Sequence, residues 1–313
     1  PDTLHIRHRL DVSFGPMTLL GADFDRREAA PGDPVLLTTF WQAKGAAEQR
    51  SRGAGEQDLT AHLVLLAPDG SSVAEYDFPP VASWYPTHLW QPGEVWRGQH
   101  LLHLPAALDT ATYTWRLTLL PIYQSTNLPT TNLPTTNLPT TITVTAPTRT
   151  FTPPPVDIET NTRLGNVATL LGATMEPPTN LPTTNLPTAN LPPTNLPTTN
   201  LPTTNLPTTI TVTLIWRSEA ETSISYRVFL HLIGPEGKLV AQSDGVPAAW
   251  SRPTTGWLPG EIVIDERVLT IPAEAEAGKY VLQAGMYTLE GGRLSTPQGK
   301  DTVIVTTILV RDQ

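Results

Sequence analysis

The side chains best suited to meet a ligand are aromatic. Trp84, Tyr85, Trp90 and Trp96 crowd a thirteen-residue stretch, and Trp250 and Trp257 echo it later in the chain. Indole and phenol rings stack on the apolar faces of sugars, with Glu94 and His88 placed to bond hydroxyls at the rim. The same rings also serve as plain core at the edge of a β-sandwich. Other chemistry finds less support. Asp23, Asp25 and Asp33 lie close together, but a calcium site draws several more oxygen ligands from one loop. The second half of the chain repeats the first and has Thr174 and Glu176 in place of the first two. The seven histidines lack the i, i+4 spacing of a zinc helix. No Gly-x-Ser-x-Gly elbow, phosphate loop or dinucleotide fingerprint is present. No catalytic residue, metal or cofactor is therefore expected.

Composition narrows the classes further. A formal net charge of −9 argues against a nucleic-acid partner, because phosphate contacts need a basic face. With no cysteine there is neither a disulfide framework nor a thiolate site. No run of 18 apolar residues exists, so no membrane-spanning helix is expected. The opening Pro1-Asp2-Thr3-Leu4-His5 has no signal-peptide core. On that reading the chain is cytoplasmic, already processed, or a piece of something longer.

The 313 residues suit two domains, and the repeats say the same. Trp90-Gln91-Pro92-Gly93-Glu94 returns as Trp257-Leu258-Pro259-Gly260-Glu261, an offset of 167. Pro68-Asp69-Gly70 and Tyr113 return at the same offset as Pro235-Glu236-Gly237 and Tyr280. Thr18–Ala22 returns as Thr169–Ala173 at offset 151, and Trp41 as Trp216 at offset 175. Matches in one order with changing offsets mean a duplicated domain with insertions. In Ile210–Trp216 the residues Ile210, Val212, Leu214 and Trp216 alternate with a mostly threonine face, the period of a half-buried strand. Trp216 and its copy Trp41 are thus expected in the core. Seven or so such strands per copy, with no helical periodicity, give an all-β fold of two tandem antiparallel β-sandwiches. The expected boundaries are 1–151 and 161–313, with a proline-rich linker at 152–160.

Two family resemblances follow. Asp109-Thr110-Ala111-Thr112-Tyr113, and less closely Glu276–Tyr280, resemble the tyrosine corner of immunoglobulin-like sandwiches, whose hydroxyl bonds to upstream backbone. Tyr85–Glu94, together with Val228–Leu232 and Pro235-Glu236-Gly237, resembles tandem sandwich modules of bacteria. Those modules are appended to membrane-bound protein-mannosyltransferase-like glycosyltransferases and to other surface proteins. The resemblance implies an accessory extracytoplasmic or cell-surface module without transferase activity. The expected role is structural or contact with another surface protein; the alternative, read from the tryptophan-rich loop 84–96, is glycan binding, and a hydrolase is the most remote reading.

Two tracts repeat Asn-Leu-Pro-Thr-Thr: three units at 127–141 and six at 180–209, with Ala189 and Pro193 as departures. Proline every fifth residue suits neither helix nor central strand, so extended, wet tracts are expected. The second occupies a loop of 34 residues where the first copy uses ten. Such lengthening costs only about 1 kcal/mol of closure entropy. Both tracts thus read as inserted passengers in loops, with O-glycosylated stalks as the functional alternative.

Overall fold

The computed structural model describes residues 5–44, 58–122, 134–176, 198–202 and 208–311. The chain divides into two compact units, Pro1–Pro147 and Thr148–Gln313. The first contains β1 (Arg9–Phe14), β2 (Met17–Phe24), β3 (Glu28–Ala29), β4 (Pro34–Ala43) and β5 (Leu59–Leu66). It continues with β6 (Ser72–Phe78), β7 (Val95–His103), β8 (Ala111–Pro121), β9 (Thr135–Asn137) and β10 (Ile142–Val144). One sheet runs β1-β2-β4-β7; the other runs β3-β10-β8-β5-β6, with β9 also on β8. The second unit holds β11 (Ile158–Leu164), β12 (Ala168–Glu176), β13 (Thr198–Pro202), β14 (Thr208–Ser218) and β15 (Arg227–Ile233). After them come β16 (Leu239–Gly245), β17 (Ile262–Ile271), β18 (Gly278–Tyr287) and β19 (Val303–Arg311). Its sheets are β11-β12-β14-β17 and β13-β19-β18-β15-β16. All pairings are antiparallel except β3 with β10 and β13 with β19. The fold is all-β, and no helix among the described residues is long and apolar enough to cross a membrane.

Alternation builds each core. Leu19, Val35, Leu37 and Trp41 of one sheet meet Leu63, Leu65, Trp115 and Leu117 of the other. In the second unit Val212, Leu214 and Trp216 face Val228, Leu230, Leu282 and Ala284. Trp41 and Trp216 are both fully buried, on the inward face their period assigns. The corner tyrosines also pair as expected. The Tyr113 hydroxyl donates to Asp109 O at 3.0 Å, and that of Tyr280 to Glu276 O at 2.7 Å.

The division between units falls ahead of the expected linker at 152–160. Arg149 donates to Gly256 O and pairs with the buried Glu261 carboxylate, and Thr150 bridges to Ile262. Those contacts tie the segment after Pro147 to the second unit, and β11 already begins at Ile158.

The pentapeptides differ more from expectation. Residues 127–133, 180–197 and 203–207 lie outside the described residues. The end of the first tract, from Thr135 in its second unit through its third unit, is however not a passenger. Thr135–Asn137 forms β9 on β8, the Leu138 amide donates to Trp115 O at 2.8 Å, and the Leu138 side chain is 4% exposed. The register explains this. Asn137 pairs with Arg116 and Ile304 with Gln283, so Leu138 fills the place that Val305 fills in the other copy. Pro139, which has no amide hydrogen to give, breaks into β9 and β10 what runs unbroken as β19.

Truncating Trp216 or Trp41 to alanine should cost about 3–5 kcal/mol in its own unit, as for other fully buried aromatics. Denaturant titration reads this directly, and a loss under about 1 kcal/mol would contradict the packing. The Thr140 hydroxyl makes the opposite forecast. It is buried without a hydrogen-bond partner, so Thr140→Val should raise stability by about 1 kcal/mol.

Candidate functional site

The repeated Trp-x-Pro-Gly-Glu stretch builds the same turn twice. In the first unit it follows the 3₁₀ turn Thr87–Leu89, in the second Thr254–Gly256. The hydroxyl of Thr87 accepts the Leu59 amide at the head of β5, and that of Thr254 accepts the Tyr226 amide ahead of β15, both at 2.9 Å. The indole N–H of Trp90 donates to Tyr85 O at 3.3 Å; that of Trp257 donates to Arg252 O at 3.0 Å. Glu94 Oε2 accepts the Gln91 amide and Glu261 Oε2 the Leu258 amide, each at 2.9 Å. Gly93 and Gly260 take φ of 84° and 79°, a region costly for any side chain. They also bind the ends of β4 and β14 through Ala43 O and Ser218 O.

This turn corrects part of the expected ligand site. Trp90 and Trp257 are 7% and 1% exposed; an indole whose N–H must reach a fixed carbonyl five residues back is held inside. Neither ring offers a face. Glu94 is likewise spent on the Gln91 amide and the Trp96 indole, and His88 Nδ1 bonds to Asp58 at 2.8 Å. Trp96 and Tyr85 are half-buried, their rings 4.7 Å apart. The open rings are Trp84 and Trp250, 80% and 61% exposed. Both stand on the connection leading into the Trp-x-Pro-Gly-Glu turn, the first between β6 and β7 and the second between β16 and β17.

The two units hold that connection differently. In the second, Ala248, Ala249 and Trp250 have φ of 52°, 51° and 70°, three successive non-glycine residues in the left-handed region. Each costs about 1–2 kcal/mol. The surroundings compensate. Asp265 Oδ1 accepts the Ala248 amide at 2.8 Å, and Arg267 donates to both Asp265 oxygens and to Gly245 O. Asp265 is fully buried and Arg267 nearly so. Burial pushes the Asp265 carboxyl above its usual value, although Arg267 and the Ala248 amide work against that. The Trp250 ring lies along Gly245, where an added Cβ would come within 3.0 Å of it. The Arg227 guanidinium sits 5.2 Å from the ring centroid. In the first unit Gly98 and His100 stand where Asp265 and Arg267 stand in the second. Pro80 O comes so close to Gly98 that a Cβ would meet it at 2.1 Å, and His100 Nε2 bonds to Pro80 O at 3.2 Å. Sequence reasoning missed the Asp265–Arg267 pair; Asp-x-Arg on a strand carries no signal of the loop above it.

The remaining polar candidates are engaged locally. Asp23 accepts the Arg7 and His8 amides, Asp25 the Leu36 amide and Asp33 the Ala30 amide. His8, His62, His88 and His231 each pair with an aspartate. Among the described residues no serine or threonine hydroxyl bonds to any of these rings. An open cleft in the first unit, between the Ala67–Asp69 turn and Pro105–Tyr113, contains two carboxylates. Asp69 is held low by its bonds to Ser71, and the Tyr113 hydroxyl is given to Asp109 O.

No family model and no curated protein matches this chain. Among solved structures, one named pT26-6p aligns over 96% of this chain and 65% of its own at 8% identity and a TM-score of 0.27. A red sea bream transglutaminase aligns over 95% of this chain and 32% of its own at 10% identity and a TM-score of 0.23. The chain thus spans less than two thirds of either.

His100 makes the site pH-sensitive. Burial holds its imidazole below the ordinary 6.5, opposed by the bond to Pro80 O. As pH falls, the unfolded chain takes the proton first. The contribution of this group is therefore present above the unfolded-state value and lost below it. The urea midpoint of the first unit should fall between about pH 7 and pH 5, and His100→Gln, which keeps a donor, should remove part of that fall. Superimposable pH profiles for the two proteins would contradict the assignment.

Proposed function

We propose that the chain is a non-catalytic carbohydrate-binding module of two immunoglobulin-like sandwiches, each displaying one tryptophan on the same connection. The observation that carries this reading is the pair Trp84 and Trp250. A folded chain gains nothing in core energy from indoles left 80% and 61% exposed. The second unit moreover holds its indole on a run of left-handed backbone supported by a buried ion pair. Strain of that kind collects where a chain presents a group to a ligand. Indole faces bind the apolar faces of pyranose rings. The corner tyrosine bonds and paired sheets support the immunoglobulin-like description. Display at a bacterial cell surface accords with the motif resemblance to modules appended to membrane-bound glycosyltransferases.

A protein-contact role is the second reading. The exposed Ile264 and Val268 of edge strand β17 favour it, since apolar residues on an open edge invite a partner.

Affinity electrophoresis in gels containing polysaccharides separates the two. Trp84→Ala and Trp250→Ala should each change stability by no more than about 1 kcal/mol, the Arg227 contact accounting for most of any loss at Trp250. Each should weaken retention about tenfold or more, and the double variant should migrate as in plain gel. Unchanged retention of the double variant, or no retention of the parent on any polysaccharide, would remove the carbohydrate reading.

A further inference from the structure

In the second unit, Thr198–Pro202 lies parallel to β19, in register from Thr198 opposite Thr307 to Pro202 opposite Arg311. It covers the edge of β19 that β18 leaves open. The first unit solves the same problem with its own sequence. There β3, only Glu28–Ala29, pairs in parallel with Thr143–Val144, and four residues lead on to β4. Five residues lead from β13 to β14. Strand β13 therefore occupies the β3 position, and a pentapeptide unit has taken over the work of an edge strand.

A repeat makes that edge indifferent to which unit occupies it. The window Thr-Thr-Asn-Leu-Pro occurs at 130–134, 135–139, 183–187, 198–202 and 203–207. Moving the chain by whole units onto another of these windows returns the same residue type to every register position, whereas Pro193 and Ala189 spoil the two windows between 183–187 and 198–202, and a shift by part of a unit changes the pairing. We propose that the edge of β19 is a docking surface for Thr-Thr-Asn-Leu-Pro segments, filled by Thr198–Pro202 within one chain and open to the same segment of a second copy. Recognition is by strand addition. The backbone of β19 supplies the hydrogen bonds, and the proline, lacking an amide hydrogen, ends the pairing. The resident unit competes at an effective concentration in the millimolar range, so a segment from another chain prevails only when the two chains are held close.

Hydrogen exchange on the full chain tests this. Replacing residues 180–207 by a Gly/Ser segment of equal length should speed exchange at Thr307–Arg311 by at least about tenfold. A peptide of two Asn-Leu-Pro-Thr-Thr units at millimolar concentration should restore slow exchange there, and a scrambled peptide should not. Slow exchange that survives the replacement, or fast exchange that the peptide leaves unaltered, would overturn the proposal. Should the replacement prevent folding, the intact chain carrying Asn200→Pro decides. Protection of β19 is retained if another window takes the place of the blocked one, and its loss would refute the interchange of units.

Discussion

Everything at the tryptophan-bearing end of each unit depends on one turn. The buried indole of Trp90, and of Trp257 in the other copy, gives its N–H to the carbonyl five residues earlier. The bond fixes where the preceding connection must pass. The glutamate four positions on accepts a backbone amide of the same turn, while the glycine in left-handed conformation turns the chain back onto β4 or β14. Tryptophan, glycine and glutamate therefore act together. Loss of any one leaves a buried polar group unpaired, or a strand end untied, and either is expensive in a small domain without disulfides.

Above that shared turn the copies diverge in a physically consistent way. Where the first unit has Gly98 it lets the Pro80 backbone settle directly on the strand, and a neutral imidazole is enough to bond the carbonyl. Where the second has Asp265 the loop stands off, and a guanidinium with a carboxylate fills the space and gathers the loose backbone groups. A buried pair of this kind adds little net stability compared with an apolar filling. What it adds is a defined geometry for a loop that would otherwise relax out of its left-handed run.

The fold was largely legible because strands write their period into the sequence. Ile210–Trp216 announces its inward face, and the two tyrosines announce the corner they close. The fate of the aromatic cluster was only half legible. Trp90 and Trp257 recur at the same offset as the rest of the core, the sign of a shared internal role. Trp84 and Trp250 stand one position out of that offset and are the ones left open. The pentapeptides misled for a different reason. Proline spacing speaks against a continuous strand but not against a short edge segment ending at the proline. A closer signal was there, since Thr140-Thr141-Ile142-Thr143-Val144 parallels Thr306-Thr307-Ile308-Leu309-Val310. The Asp265–Arg267 pair left no such trace, because it exists only through a loop brought over it by the turn.

The segment that forms β9 and continues into the core through Leu138 stands at the C-terminal end of its tract, and β13 lies near the end of the other. Whatever a tract gains or loses farther upstream, the strand-forming copy remains beside the strand it must reach. Alleles that differ by whole units would then encode the same two domains carrying internal loops of different reach. The tract length becomes a heritable variable on which selection can act without touching the fold.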